Sequence, residues 1–138
     1  MKILITGCCG FIGFHLCKKL ILKKNLEIIG VDNLNNYYDK KLKLDRLSIL
    51  NKSKKFKFHK VDISNKKNFY KFIHKRPFTH IVHLAAQAGV RNSIIDPDTY
   101  FKYNLVGFYN ILEASRKFKI QHLITASTSS VYGDKKKF

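Results

Sequence analysis

The 138 residues, 45% hydrophobic and 26% charged, have the make-up of a globular chain long enough to bury a core, which argues against a disordered or low-complexity protein. The net charge of +18 comes mostly from lysines spread through nearly every segment, with Arg46, Arg76, Arg91 and Arg116 the only arginines. Bidentate recognition of phosphate or guanine favours arginine, and no helix-turn-helix, zinc-finger or aromatic RNP-type motif occurs, so no specific nucleic-acid partner is expected.

Taken in chain order, Lys2 to Thr6 is a short apolar run that predicts a strand. Phe11, Ile12, Leu16 and Leu20 then recur at helical spacing, predicting a helix from Phe11 to about Lys24. A second strand is expected over Glu27 to Val31, a polar Asn/Tyr loop over Asn33 to Asp39, and a helix carrying Leu42, Leu44, Leu47 and Leu50. Phe56 to Val61 alternates apolar with polar residues as a third strand would, and Ser64 is the expected N-cap of a helix over Asn65 to His74. Thr79 to Ala86, almost wholly apolar, predicts a fourth strand buried on both faces. Asp96-Pro97 supplies a cap and a first-turn proline for the longest helix, about Asp98 to Lys117, and His122 to Ser127 is the fifth strand. Repeated strand-helix units imply an α/β fold: a doubly wound parallel sheet of Rossmann type, strand order 3-2-1-4-5, with residues 1–138 as one nucleotide-binding domain cut short after the fifth strand.

The opening run holds three glycines and reads as strand, turn and helix rather than as a leader, and no other apolar stretch approaches the ~20 residues of a membrane span. A cytoplasmic protein with no membrane partner is expected. Cys8, Cys9 and Cys17 are odd in number and form no C-x-x-C pair, so neither a disulfide framework nor a metal site is expected, and the thiols read as small buried side chains.

Gly7, Gly10 and Gly13 lie between the first strand and the first helix, where glycine permits a tight turn, close approach of a pyrophosphate and helix-strand packing. The helix start at Phe11 and Ile12 then offers unpaired N–H groups to an anion. Asp32 ends the second strand, where a carboxylate accepts hydrogen bonds from adenosine ribose hydroxyls and repels a 2′-phosphate, which favours NAD over NADP. The bland alternative is a tight loop whose glycines only turn the chain.

The strings TGCCGFIG, VDNLNNYYD, HLAAQAGVR, NLVGFYNILEA and STSSVYG, in this order along the whole chain, resemble the extended short-chain dehydrogenase/reductase superfamily. Within its NAD-dependent epimerase/dehydratase family they are similar to bacterial UDP-glucuronate 4-epimerases. The resemblance implies that Asp32 and Asn33 contact the adenosine ribose, that Asp62 and Ile63 meet the adenine, and that Ala85, Ala86 and Gln87 line the cofactor toward its nicotinamide half. It further implies a structural role for Asn104 and a catalytic one for Thr128, which would hold the sugar hydroxyl beside a tyrosine base. NAD is the implied cofactor and a UDP-sugar the implied substrate, epimerised through transient oxidation at C4, and the family allows a homodimer.

Related dehydratases carry Asp-Glu directly after this threonine, and related decarboxylases a Glu before V-Y-G. Ser129 and Ser130 stand in those places, so simple epimerisation is the expected chemistry. The family's base belongs to a Y-x-x-x-K string on the helix after the fifth strand. Tyr37 with Lys41 precedes that region, and Tyr132 with Lys136 falls in the V-Y-G turn before that helix would begin. Neither string is expected to be the catalytic pair, and the 138 residues alone are expected to be inactive. A non-catalytic nucleotide-binding module is the alternative reading, and a basic nucleic-acid-associated protein a third.

Any DNA or RNA binding should be sequence-blind and fall steeply with salt, since scattered lysines contribute only counterion release. Gel-shift titrations of unrelated duplexes at rising salt test this. A sequence-selective footprint surviving at physiological salt would overturn it.

Overall fold

A computed structural model describes residues 1–134 of the chain. Five parallel strands form one sheet in the order β3-β2-β1-β4-β5: β1 (Lys2–Thr6), β2 (Glu27–Asp32), β3 (Phe56–Lys60), β4 (His80–His83) and β5 (His122–Thr125). The helices between them are α1 (Phe11–Ile21), α2 (Lys40–Leu50), α3 (Lys66–His74), α4 (Val90–Ile95), α5 (Pro97–Tyr100) and α6 (Gly107–Lys117), with a π-helical segment, Phe101–Val106, joining the last two. Among the described residues no helix is long and apolar enough to cross a membrane.

Alternation along the central strands sorts the core onto two faces. Ile3, Ile5 and Ile28 pack with Phe14, Cys17 and Leu50 of α1 and α2. Leu4, Ile29 and Val31 pack with Phe69, Ile73, Ile111 and Ala114 of α3 and α6. Helices therefore cover both faces, as expected of a parallel sheet. At Gly30 a Cβ would lie 2.7 Å from the Cys8 sulfur and from the Phe56 ring, so β2 carries no side chain where the glycine turn packs against it.

Several element boundaries differ from the sequence expectation, each for a local reason. Helix α1 stops at Ile21 rather than Lys24: Leu22 is 80% exposed, and Asn25 turns the chain into β2 through a positive φ of 56°. Asn65 replaces Ser64 as the cap of α3, its Oδ1 accepting from the Asn68 N–H at 3.1 Å, because the Ser64 hydroxyl is taken by Asp62 at 2.6 Å. In α2, Leu42 and Leu44 are exposed and Lys43 is buried, the reverse of the leucine pattern.

Strand β4 ends at His83 instead of Ala86: the Leu84 amide is shared between the Thr6 carbonyl at 3.3 Å and the Thr6 hydroxyl oxygen at 3.1 Å, and the Ala85 amide donates to that hydroxyl oxygen at 3.1 Å. Strand β5 likewise ends at Thr125, not Ser127. The long helix is capped by Asp96, whose Oδ1 accepts from the Thr99 N–H, but it widens into the π segment where Asn104 is drawn to the backbone of Gln87. The six-residue α4, which no periodicity signalled, starts after Gly89 at φ 100° and leaves Val90, Ile94 and Ile95 exposed.

His83 is buried, stacked on Phe108, with Nδ1 2.8 Å from the Thr6 hydroxyl. Because that hydroxyl oxygen already accepts from two amides, its proton points to Nδ1, which must be the unprotonated nitrogen. Burial lowers the imidazole pKa to about 4, so the folded chain holds it neutral. An unfolded histidine titrates near ~6.5, so below that pH the unfolded state takes up a proton that the folded state refuses. The His83 contribution to stability is therefore complete above ~6.5 and is lost as pH falls toward the folded value, by roughly 3 kcal/mol in all. Urea unfolding at pH 7, 6 and 5 should show this decline, and His83→Gln should flatten it. An equally steep decline in the variant would assign the effect elsewhere.

Candidate functional site

The C-terminal ends of β1, β2 and β4 open onto one crevice, lined by Gly7 and Gly10, Asp32 and Asn33, Ile63, and Ala85 to Gln87 among others. Its floor is the glycine turn. Gly7 has a φ of 71°, and a Cβ there would lie 2.8 Å from the Ala85 nitrogen, so only glycine lets β1 leave the sheet against the end of β4. The Gly7 and Cys8 amides donate to the Val31 carbonyl, and Gly10 N–H to the Gly7 carbonyl, which stitches the turn to β2. A Cβ on Gly13 would collide with the Gly7 carbonyl oxygen, so α1 packs directly on the turn. Gly10 caps α1 without a side-chain hydrogen bond, leaving the first-turn amides open to an anion. The Phe11 and Ile12 side chains at this helix start are exposed.

Asp32 is buried at the tip of β2. One carboxylate oxygen accepts from Cys9 N–H at 3.2 Å, the other from Leu34 N–H at 2.9 Å, and the Lys43 ammonium lies 3.9 Å away. The anion is thus fixed in place beside the glycine turn. Asn33 turns the next loop, its Oδ1 accepting from Asn35 N–H. Asp62 accepts from both the amide and the hydroxyl of Ser64, which shapes the loop after β3, while Ile63 faces the crevice.

Two asparagines of the long helix hold these loops from behind. Asn104 accepts from Gln87 N–H at 2.7 Å and donates to Gln87 C=O at 2.9 Å. Asn110, 1% exposed, donates to the Ile63 carbonyl at 2.8 Å. Gly107 lies against Ile63 on the same helix, where a Cβ would approach the isoleucine Cδ1 to 3.0 Å. Asn110, Asn35 and Lys43 were missed by sequence reasoning. Asn110 was legible in principle, as a polar residue on the apolar face of α6.

Thr128 lies after β5 on the same edge of the sheet, exposed and outside the crevice lining, with its carbonyl accepting from Val131 N–H in the turn Ser129–Tyr132. Tyr37 lines the crevice, but partial desolvation and contact with the Tyr100 hydroxyl push its phenol up, the wrong direction for a base. Tyr132 sits in the turn after β5, and Lys136 lies outside the described residues. The three thiols are buried. Hydrogen bonding to Cys9 and burial push Cys8 up, and burial raises Cys17 to about 12, so these two stay protonated and unreactive.

Comparison with known proteins places this geometry. The chain is 56% identical over 134 residues to Protein CapI of Staphylococcus aureus, covering 96% of this chain and 39% of that protein. It is 42% identical over 129 residues to the UDP-glucuronate 4-epimerase of Thermodesulfobacterium geofontis, covering 94% of this chain and 40% of that one. Among solved structures it superposes on UDP-glucuronic acid 4-epimerase of Bacillus cereus, in complex with UDP-glucuronic acid and NAD, with a TM-score of 0.88 at 36% identity, covering 99% of this chain and 43% of that one. The chain thus spans about two fifths of the length of these relatives. With the glycine turn, the strand-end carboxylate and the 3-2-1-4-5 sheet in place, and with the family model described as GDP-mannose 4,6 dehydratase matching residues 4–138, the chain belongs to that family of NAD-dependent epimerases and dehydratases.

Proposed function

We propose that residues 1–138 form the nucleotide-binding domain of an NAD-dependent UDP-sugar 4-epimerase, with UDP-glucuronate as its substrate. The observation that carries the cofactor assignment is the buried Asp32 carboxylate beside the glycine turn. The residues present fit a dinucleotide. The open first turn of α1 suits a pyrophosphate, and Asp32 keeps an anion where ribose hydroxyls donate. Gly7, Gly10 and the amides at Phe11, Ile12 and Gly13 would hold the pyrophosphate, Asp32 and Asn33 the ribose, Asp62 and Ile63 the adenine side. Ala85, Ala86 and Gln87 would line the remainder, with Asn104 holding Gln87 in place. Bound there, NAD supplies a reversible hydride acceptor for the sugar carbon.

Thr128 would orient the sugar hydroxyl by a hydrogen bond. An alcohol is too weak a base to take its proton at neutral pH, so turnover requires a further base. The sugar reading rests on the similarity to enzymes named for UDP-glucuronate. We place the protein in the cytoplasm, where its free thiols stay reduced. A homodimer belongs to the same reading, supported by the exposed apolar stripe of Phe101, Leu105, Tyr109 and Leu112 along the long helix.

Two measurements test this. Calorimetric titration should show NAD binding at least about tenfold tighter than NADP, equivalent to ~1.4 kcal/mol, and Asp32→Ala should erase the difference. Equal affinities in the wild type would sink the ribose assignment. In an NMR assay with UDP-glucuronic acid and NAD, the 138 residues should show no epimerisation, since general-base assistance alone contributes ~100- to 10,000-fold, whereas a polypeptide of the relatives' length should turn over. Turnover by the short chain that is lost on Tyr132→Phe would make Tyr132 the base.

A further inference from the structure

At the end of the sheet opposite the crevice, two imidazoles meet across a strand pairing. His80 and His122 open β4 and β5 and are register partners, so their side chains leave the same face of the sheet, with ring centroids 5.7 Å apart. His80 is half-buried and His122 exposed. They lie far apart in the chain and belong to no spacing motif, so only the fold brings them together.

A threonine fixes the tautomer of His80. A carbonyl can only accept, so the Thr79 hydroxyl, 3.1 Å from the Lys2 carbonyl oxygen, gives its one proton there. The same hydroxyl oxygen is then an acceptor toward His80 Nδ1, 2.8 Å away, and Nδ1 carries the ring N–H. In the neutral ring Nε2 is left with its lone pair, and among the described residues that nitrogen has no hydrogen-bond partner. Metal-binding histidines are held in this way, with one ring N–H donated to an oxygen and the other nitrogen turned to the ion. His122, in ring contact with His80, supplies a second imidazole from an exposed position.

We infer that His80 and His122 together bind a divalent transition-metal ion of the class that imidazole favours, zinc, nickel or copper, with Thr79 as the positioning residue. At a metal–nitrogen distance of about 2.0–2.1 Å, two imidazoles side by side on one ion hold their centroids roughly 4.5 to 5.5 Å apart. A small rotation of His122 closes the gap from 5.7 Å. Among the described residues no group of three or more His, Cys, Asp or Glu side chains could hold a metal, so this is a two-ligand site whose other positions fall to water. The ion would cross-link β5, the edge strand and the most exposed of the sheet, to β4. The inference is independent of the nucleotide reading.

Calorimetric titration of the 138-residue chain with zinc chloride tests it. His122→Ala, a change at an exposed position, should weaken zinc by at least about tenfold, whereas His74→Gln on α3 should leave it unchanged. Zinc should raise the urea midpoint of the wild type and not that of His122→Ala. Long-range proton–nitrogen NMR of the metal-free chain should show His80 protonated at Nδ1, and zinc should shift its Nε2. Thr79→Val should abolish that tautomer preference and weaken zinc by about tenfold, as the loss of such supporting partners does. Undiminished zinc binding by His122→Ala overturns the inference, as does an equal loss in His74→Gln or no binding by the wild type up to about 1 mM. A metal-free His80 protonated at Nε2 overturns the role of Thr79.

Discussion

The Thr6 hydroxyl is the point at which sheet becomes site. It accepts the amides of Leu84 and Ala85 and gives its proton to His83, so one side chain closes the end of β4 and fixes a buried tautomer. Without it the Ala85 amide would lose its partner and the Leu84 amide would keep only the longer bond to the Thr6 carbonyl, and buried amides are costly to leave unpaired. Because Leu84 and Ala85 are held there, their backbone comes within contact of Gly7, and the turn has room for no Cβ. The crevice exists because β1 and β4 stop together and their loops part in opposite directions, as at the switch point of any doubly wound sheet.

Much of this scaffold was legible in the amino-acid order. Ile3, Leu4 and Ile5 alternate between two cores, as do Ile28 and Ile29, and that alternation with helical repeats between strands leaves few topologies open. The glycine spacing and Asp32 were legible because their requirements are local: a turn, a strand end and a helix start lie within one short stretch. What escaped was whatever depends on contacts between distant loops. Asn35 and Gln87 meet across 52 residues, and Lys43 is one lysine among many, with no periodicity to mark it as buried. The leucines flanking it misled, since Leu42 and Leu44 carry the apolar signal yet face outward. Strand ends slipped for a related reason: apolar composition continues past His83, whereas the amides there turn to the Thr6 side chain.

The basic charge reads differently once positions are known. Most lysines belong to the solvated surface, where pairs such as Lys57 with Glu27 contribute little. Among the described lysines Lys43 is the buried one. A buried ammonium is tolerated only with compensation, and Asp32, the Asn35 oxygens and the Tyr38 ring, 4.7 Å away, together supply it. The arrangement also keeps Asp32 from being an isolated buried anion. Each charge makes the other's burial affordable, which ties the crevice's acidic group to the conformation of the loop that follows it.

The π-helical segment completes the logic of the long helix. Asn104 must face the loop after β4, and Asn110, six positions on, must face the loop after β3. On a regular helix those two positions point about 120° apart, at 3.6 residues per turn. Widening the turns before Gly107 changes the angle between them, so one rod can grip both loops while Ile111 and Ala114 stay in the core. The distortion lies where two rims of the crevice must be held at a fixed separation. A regular α-helix over the same residues would set Asn104 and Asn110 at another angle, and with it the grip on the loop carrying Gln87 or on the loop carrying Ile63.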